Sequence, residues 1–198
     1  NQVVAETLKA FGRIDVLVNN ARILLMKRME STTVEDFERT MAVNVLGVFL
    51  GMRAVTPIMR KQGDGVIISI SLPGSEEPRI YSVAYAASEY ALQGMTRTAA
   101  ANLEPHGIRV VSITPEPLVP FASLGSVAAL GNIVGKREVI EDAEHIDGSE
   151  GGIEDDLFPD IELSQGIEVA QMAVLAASDA ACYFTGSEFI SDGGPGLG

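Results

Sequence analysis

The chain contains no tryptophan, one cysteine and two histidines in 198 residues, and acidic side chains outnumber basic ones, 27 to 14. Each scarcity closes off a class of protein. A single thiol, Cys182, allows no internal disulfide and points to a reducing compartment, with the cytoplasm as the default. His106 falls in a helix-ending turn and His145 in an acidic stretch, neither beside a candidate nucleophile, so a serine-hydrolase triad has no base. Asp147 to Phe158 carries a glycine at the sixth place of a calcium loop, but Gly151 and Phe158 stand where oxygen ligands belong, and no metal site is expected. A net charge of −13 repels nucleic acid and anionic membrane alike. No apolar run approaches the ~20 residues of a membrane span. The best stretch, Val43 to Met52, is short and contains Asn44.

What is present is an alternation of helical and β-branched segments. An apolar fraction of 46% over this length is enough to bury one core, so residues 1–198 are expected to form one domain. Val3 to Phe11 reads as the last turns of an amphipathic helix already under way, and the amino end is read as cut, processed or lost. Gly12 closes that helix, and Ile14 to Val18 is a short buried strand. Thr33 opens a helical pattern to about Lys61, with Asp36, Phe37, Met41, Val45 and Phe49 on roughly one face, and Gly63 to Gly65 breaks it. Val66 to Ser71 is a second strand, followed by a Pro73-Gly74 turn and a polar loop to about Ile80. A long Ala- and Ser-rich helix from about Ser82 to Leu103 ends at Gly107, and Ile108 to Ile113 is a third strand stopped by Pro115. Phe121 to Gln165 lacks periodicity and holds eleven of the acidic residues between Glu138 and Glu162, the composition of a mobile loop or lid. Order returns with a helix from about Ile167 to Ala177, a short strand from Glu188 to Ser191 and a glycine-rich tail.

Strands alternating with helices of ten to twenty residues imply crossover connections, hence an α/β, doubly wound, mainly parallel sheet. Ligands in such sheets bind beyond the carboxyl ends of the strands. Asn19 and Asn20, Ser71, and Thr114 with Pro115 all fall at those ends and should line one crevice. Tyr85 precedes Glu89 by one helical turn, so phenol and carboxylate share a helix face.

Asn19-Asn20-Ala21 is similar to the Asn-Asn-Ala-Gly segment of the short-chain dehydrogenase/reductase family, and Met41 to Val45 to the segment bearing its structural and catalytic asparagine. Ser71 falls at the catalytic serine, one residue further from Tyr85 than is usual, and Tyr85 to Glu89 covers the family's Tyr-x-x-x-Lys. Ile108 to Pro115 resembles the sixth strand, and Ala177 to Gly194 the closing segment. With these motifs in register, the chain is identified as a member of that family on a Rossmann-type sheet whose amino-terminal strands are missing. The resemblance implies an oxidoreductase that uses NAD or NADP to interconvert a small-molecule carbonyl and an alcohol, as a homo-oligomer. Within it Ser71 would orient the substrate, Tyr85 would be the acid or base, and Asn44 would hold a water of the proton relay. Asn19, Ala21, Glu89 and Leu118 would lie along the cofactor.

The departures from the pattern bear on chemistry. An unperturbed phenol, with its pKa near 10, is ionised in about one molecule in a thousand at neutral pH. One unit charge about 5 Å away at an effective dielectric near 20 is worth roughly 3 kcal/mol, or about two pKa units. Where the family's lysine favours the phenolate by such an amount, Glu89 opposes it, and Glu89 is expected to point to solvent, as exposed helix carboxylates do. Arg22 stands where the family has glycine, Glu116 replaces the glycine after the sixth strand, and Pro120 replaces a threonine. The glycine-rich turn that seats a pyrophosphate, with its strands, is absent. Loss of the neighbouring strand would leave Ile14 to Val18 as an unpaired apolar edge, unstable alone or covered by another chain. The expectation is an impaired or inactive oxidoreductase, the alternative a non-catalytic remnant acting as a binding or subunit partner.

Overall fold

The structure, a computed structural model, describes residues 2–23, 25, 27, 29–71, 83–115 and 164–191. The expected Pro73-Gly74 turn, Glu116, Leu118, Pro120, the calcium-like stretch, His145, the glycine-rich tail and nearly all of the 121–165 loop lie outside the described residues.

Helix α1 (Gln2–Phe11) ends at Gly12, whose φ of 76° is the left-handed conformation that a residue without a Cβ adopts freely. Strand β1 (Val16–Asn19) follows, starting two residues later than expected. The reason lies in a side chain from elsewhere. The Gln62 amide accepts from the Ile14 N–H at 3.0 Å and donates to the Ile14 carbonyl at 2.8 Å, so the main-chain groups of Ile14 bond a side chain.

Thr33 caps helix α2 (Val34–Met41) in a capping box: its hydroxyl accepts from the Asp36 N–H, and the Asp36 carboxylate accepts from the Thr33 N–H. A π-helical turn, Ala42–Leu46, joins α2 to α3 (Gly47–Gln62), which closes on Gly63 at φ 71°. The wide turn shifts the helical phase. The buried stripe is therefore Thr40, Asn44, Val48, Met52, Val55 and Met59, while Phe37 and Phe49, expected on the shared face, are exposed.

The fused run Val34–Gln62 is long and apolar enough to cross a membrane by length and composition, contrary to the expectation from strictly apolar runs. The difference is that a window average tolerates Asn44 and Arg53. In the fold, Val48, Met52, Val55 and Met59 pack in one cluster with Ile67 of the sheet, contacts that a spanning helix would have to abandon.

Strand β2 (Gly65–Ile70) is buried throughout, α4 (Val83–Leu103) crosses back, and β3 (Ile108–Pro115) runs two residues beyond the expected end. Its extension is paired: Thr114 and Pro115 lie opposite Ile190 and Ser191 of β4 (Glu188–Ser191). Proline is tolerated at the end of a ladder because only there can a missing N–H be spared. Helix α5 (Ser164–Ala177) begins three residues earlier than expected.

All strand pairs are parallel, in the order β1-β2-β3-β4. Helices α1, α3 and α4 pack on one face around Leu17, Ile67, Ile108 and Val110, and α5 packs on the other around Val66, Ile68, Val111 and Ile113. The expected doubly wound, Rossmann-type α/β layering is therefore present. On the α5 side, β1 exposes Val16 and Val18, and among the described residues no strand pairs with its outer edge.

Candidate active site

At the carboxyl end of β2, Ser71 continues the sheet by donating its N–H to the Ile113 carbonyl at 2.7 Å. Its hydroxyl points toward α4 and donates to Glu89 Oε2 at 2.6 Å. Glu89 lies one turn beyond Tyr85 on that helix, and both are buried, each 1% exposed. The serine is thereby joined to the helix turn that carries Tyr85.

The expectation that Glu89 points to solvent is wrong. Its other oxygen, Oε1, accepts from Arg22 Nη1 at 2.9 Å, and the Arg22 side chain is 5% exposed. An isolated carboxylate buried here would carry a desolvation penalty of several kcal/mol, and an isolated guanidinium likewise; each survives because the other neutralises it. The pair also changes the electrostatics at Tyr85. An uncompensated carboxylate would oppose the phenolate, whereas a neutralised pair leaves only a local dipole. Arg22 Nε is buried with no partner among the described residues.

Arg22 is held in place through its neighbour. Asn44, in the π-helical turn, accepts from the Ile23 N–H at 2.8 Å through Oδ1 and donates to the Ile23 carbonyl at 2.9 Å through Nδ2. The same Nδ2 donates to Ser88 Oγ at 3.0 Å, and the Ser88 hydroxyl donates to the Tyr85 carbonyl at 2.7 Å. A wide helical turn re-aims a side chain without ending the helix, which is why such turns recur at functional positions. Both N–H donors of Asn44 are committed to protein groups, so what it retains toward a water is acceptor capacity on Oδ1.

Asn19 sits at the end of β1, with its amide donating to Ser69 Oγ at 3.4 Å. A Cβ at Gly51 would lie 2.8 Å from Asn19 Oδ1, so the glycine on α3 makes room for this side chain. Ala21 is exposed. Thus Asn44, Ser71, Tyr85 and Glu89 are brought together, Asn19 turns toward the β1-β2-α3 junction, and Leu118 lies outside the described residues. Sequence reasoning missed two residues here, Ser88 as the link from Asn44 to Tyr85 and Arg22 as the partner of Glu89. The available signal was that Arg22 and Glu89 are departures of opposite sign.

Residues 1–122 match the short chain dehydrogenase family model. The chain is 36% identical over 197 residues to an uncharacterized oxidoreductase of Thermotoga maritima, covering 98% of this chain and 71% of that protein. It is 32% identical to a 3-alpha-(or 20-beta)-hydroxysteroid dehydrogenase of Mycobacterium tuberculosis, covering 96% and 64% respectively. Among solved structures it is similar to a gluconate 5-dehydrogenase of Burkholderia cenocepacia, in complex with NADP and tartrate, with a TM-score of 0.70, 24% identity and coverage of 98% of this chain and 69% of that one. With these matches added to the parallel sheet and the serine and tyrosine at its carboxyl end, the chain belongs to the short-chain dehydrogenase family. It spans between 64% and 71% of the length of those two curated relatives.

Proposed function

We propose that this chain acts on a small-molecule alcohol/carbonyl pair as an oxidoreductase dependent on NAD or NADP, at low turnover. The supporting observation is the buried bond from Ser71 Oγ to Glu89 Oε2, which ties the serine to the helix turn of Tyr85 at the carboxyl end of a parallel sheet. In this reading Tyr85 moves the proton at the substrate oxygen, Ser71 contacts that oxygen, and Asn44 braces the segment carrying Arg22. Low turnover follows from Glu89, which accepts the serine's hydrogen bond and stands where the family pattern has a cation.

A dinucleotide fits the donors present. Arg22 Nε is a buried N–H without a partner among the described residues, suited to a ribose or phosphate oxygen. Glu89, at the position of the family's lysine, would lie along the ribose. Asn19, Ala21 and Leu118 complete the contacts on the family pattern. When bound, the nicotinamide supplies the hydride chemistry, while the chain's own residues orient the substrate and handle its proton.

The test is a titration of reduced dinucleotide into the protein followed by its fluorescence. Saturation below millimolar concentration is expected, and its absence removes the reading. A second reading, a non-catalytic subunit partner, is favoured by apolar surface on α3 and its approach, where Leu46, Phe49 and Leu50 are each close to half exposed. Light scattering separates the two: the partner reading requires self-association or a stable complex whether or not dinucleotide binds. Homo-oligomer formation in the cytoplasm is compatible with both.

A further inference from the structure

We infer that the site selects the alcohol form of its substrate over the carbonyl form, because Ser71 meets the ligand as a hydrogen-bond acceptor. The inference rests on the alcohol/carbonyl reading above and adds a preference to it. A serine hydroxyl has one proton and two lone pairs. The proton of Ser71 goes to Glu89 Oε2 at 2.6 Å, and a carboxylate has none to give in return. Glu89 cannot swing away freely, because Arg22 Nη1 holds its other oxygen at 2.9 Å. Arg22 in turn adjoins Ile23, whose N–H and carbonyl are both clamped by Asn44. Ser71 is 2% exposed, Glu89 1% and Arg22 8%, so water competes little for any of these bonds. Nor can the Ser71 main chain donate instead, since its N–H is given to Ile113.

What remains on Ser71 is lone-pair density. An alcohol O–H donates into it and leaves the bond to Glu89 intact. A carbonyl oxygen has only lone pairs of its own. Meeting Ser71, it either faces another acceptor or requires the hydroxyl proton to turn from a carboxylate to a neutral oxygen. That exchanges a charge-assisted bond for one about half as strong. The common arrangement, in which the serine donates to the substrate oxygen, is therefore inverted here by the carboxylate behind it.

Cyclohexanol and cyclohexanone, of nearly equal shape, are suitable probes, with binding to the intact chain measured by ligand-observed NMR without dinucleotide. The alcohol is expected to bind at least about tenfold more tightly, equivalent to ~1.4 kcal/mol. Ser71→Ala should bring the two affinities within about twofold. The paired exchange of Arg22→Gly with Glu89→Lys, which releases the serine proton, should move the ratio toward the ketone. Equal binding by the parent chain, preference for cyclohexanone, or no binding of either probe overturns the inference. A dinucleotide that saturates while the probes are not distinguished leaves the oxidoreductase reading standing and removes this one. Discrimination between the probes without dinucleotide binding does the reverse.

Discussion

The arginines at the two ends of the parallel sheet are satisfied in opposite ways. At the carboxyl end Arg22, Glu89 and Ser71 bond one another's side chains. At the amino end side chains bond the main chain. Gln62 holds both polar groups of Ile14, and Arg109 donates to the carbonyls of Ala176, Ala181 and Ser178 at 2.8, 3.0 and 3.1 Å. Carbonyls at a helix end attract a cation because they have no partner in the next turn. The difference matters for how each end can vary. Side chains that bond side chains can be exchanged in matched sets, whereas a backbone carbonyl is the same whatever residue bears it.

The comparison is sharpened most by Arg22→Ala, which strands a buried carboxylate and is expected to lower stability by about 3–5 kcal/mol in urea denaturation. Glu89→Lys alone should be comparably harmful, since it sets a second cation against Arg22. Combined with Arg22→Gly it should recover to within about 1 kcal/mol of the parent, a strong departure from additivity. A loss below about 1 kcal/mol for Arg22→Ala would show that the pair is not buried as described.

The amino end offers no such rescue. Gly107 has φ 74° and lies so close to Gly63 that a Cβ would press into the Gly63 carbonyl oxygen. Gly107→Ala should therefore lower stability by about 2–3 kcal/mol, from left-handed backbone strain plus the clash. Recovery through any single side-chain change nearby would break the comparison. Arg109→Ala follows at about 2 kcal/mol, with hydrogen exchange accelerating first in α5 and β4.

The smallest effect concerns the start of α2, where Asp36 also serves the main chain. Its carboxyl is held below the ordinary value of 3.8, first by the Thr33 N–H and then by Lys27. A depressed folded value means that the contribution is complete above the ordinary value and disappears as pH falls through the lower one. Asp36→Ala should thus lower stability by about 1 kcal/mol at neutral pH, and the gap to the parent should close in acid.

Much of this architecture is legible along the chain. The β-branched runs Val66 to Ser71 and Ile108 to Ile113, the capping signal at Thr33 and the glycines at 12, 63 and 107 report local physics, and each element formed within two or three residues of its expected bounds. Ser71 at a strand end follows from the same layering, and Tyr85 from the motif shared with the family. What could not be read locally is the burial of Glu89. A carboxylate in an Ala- and Ser-rich helix looks exposed until its partner is known, and Arg22 lies 67 positions away. The late start of β1 has the same origin, since Gln62 lies 48 positions from Ile14. The buried face of the Thr33 to Lys61 segment differs from the periodic expectation for another reason, because the winding changes at residues 42–46.

That wider coil works as a spacer of one residue. Each position of a regular helix advances about 100° around the axis. Winding the same residues evenly would turn Val48, eight positions on, about 80° away from Thr40, and would force a choice between keeping Thr40 inward or keeping the Val48 to Met59 ridge seated on the strands. The surplus residue is what lets both halves dock at once, with Asn44 at the seam.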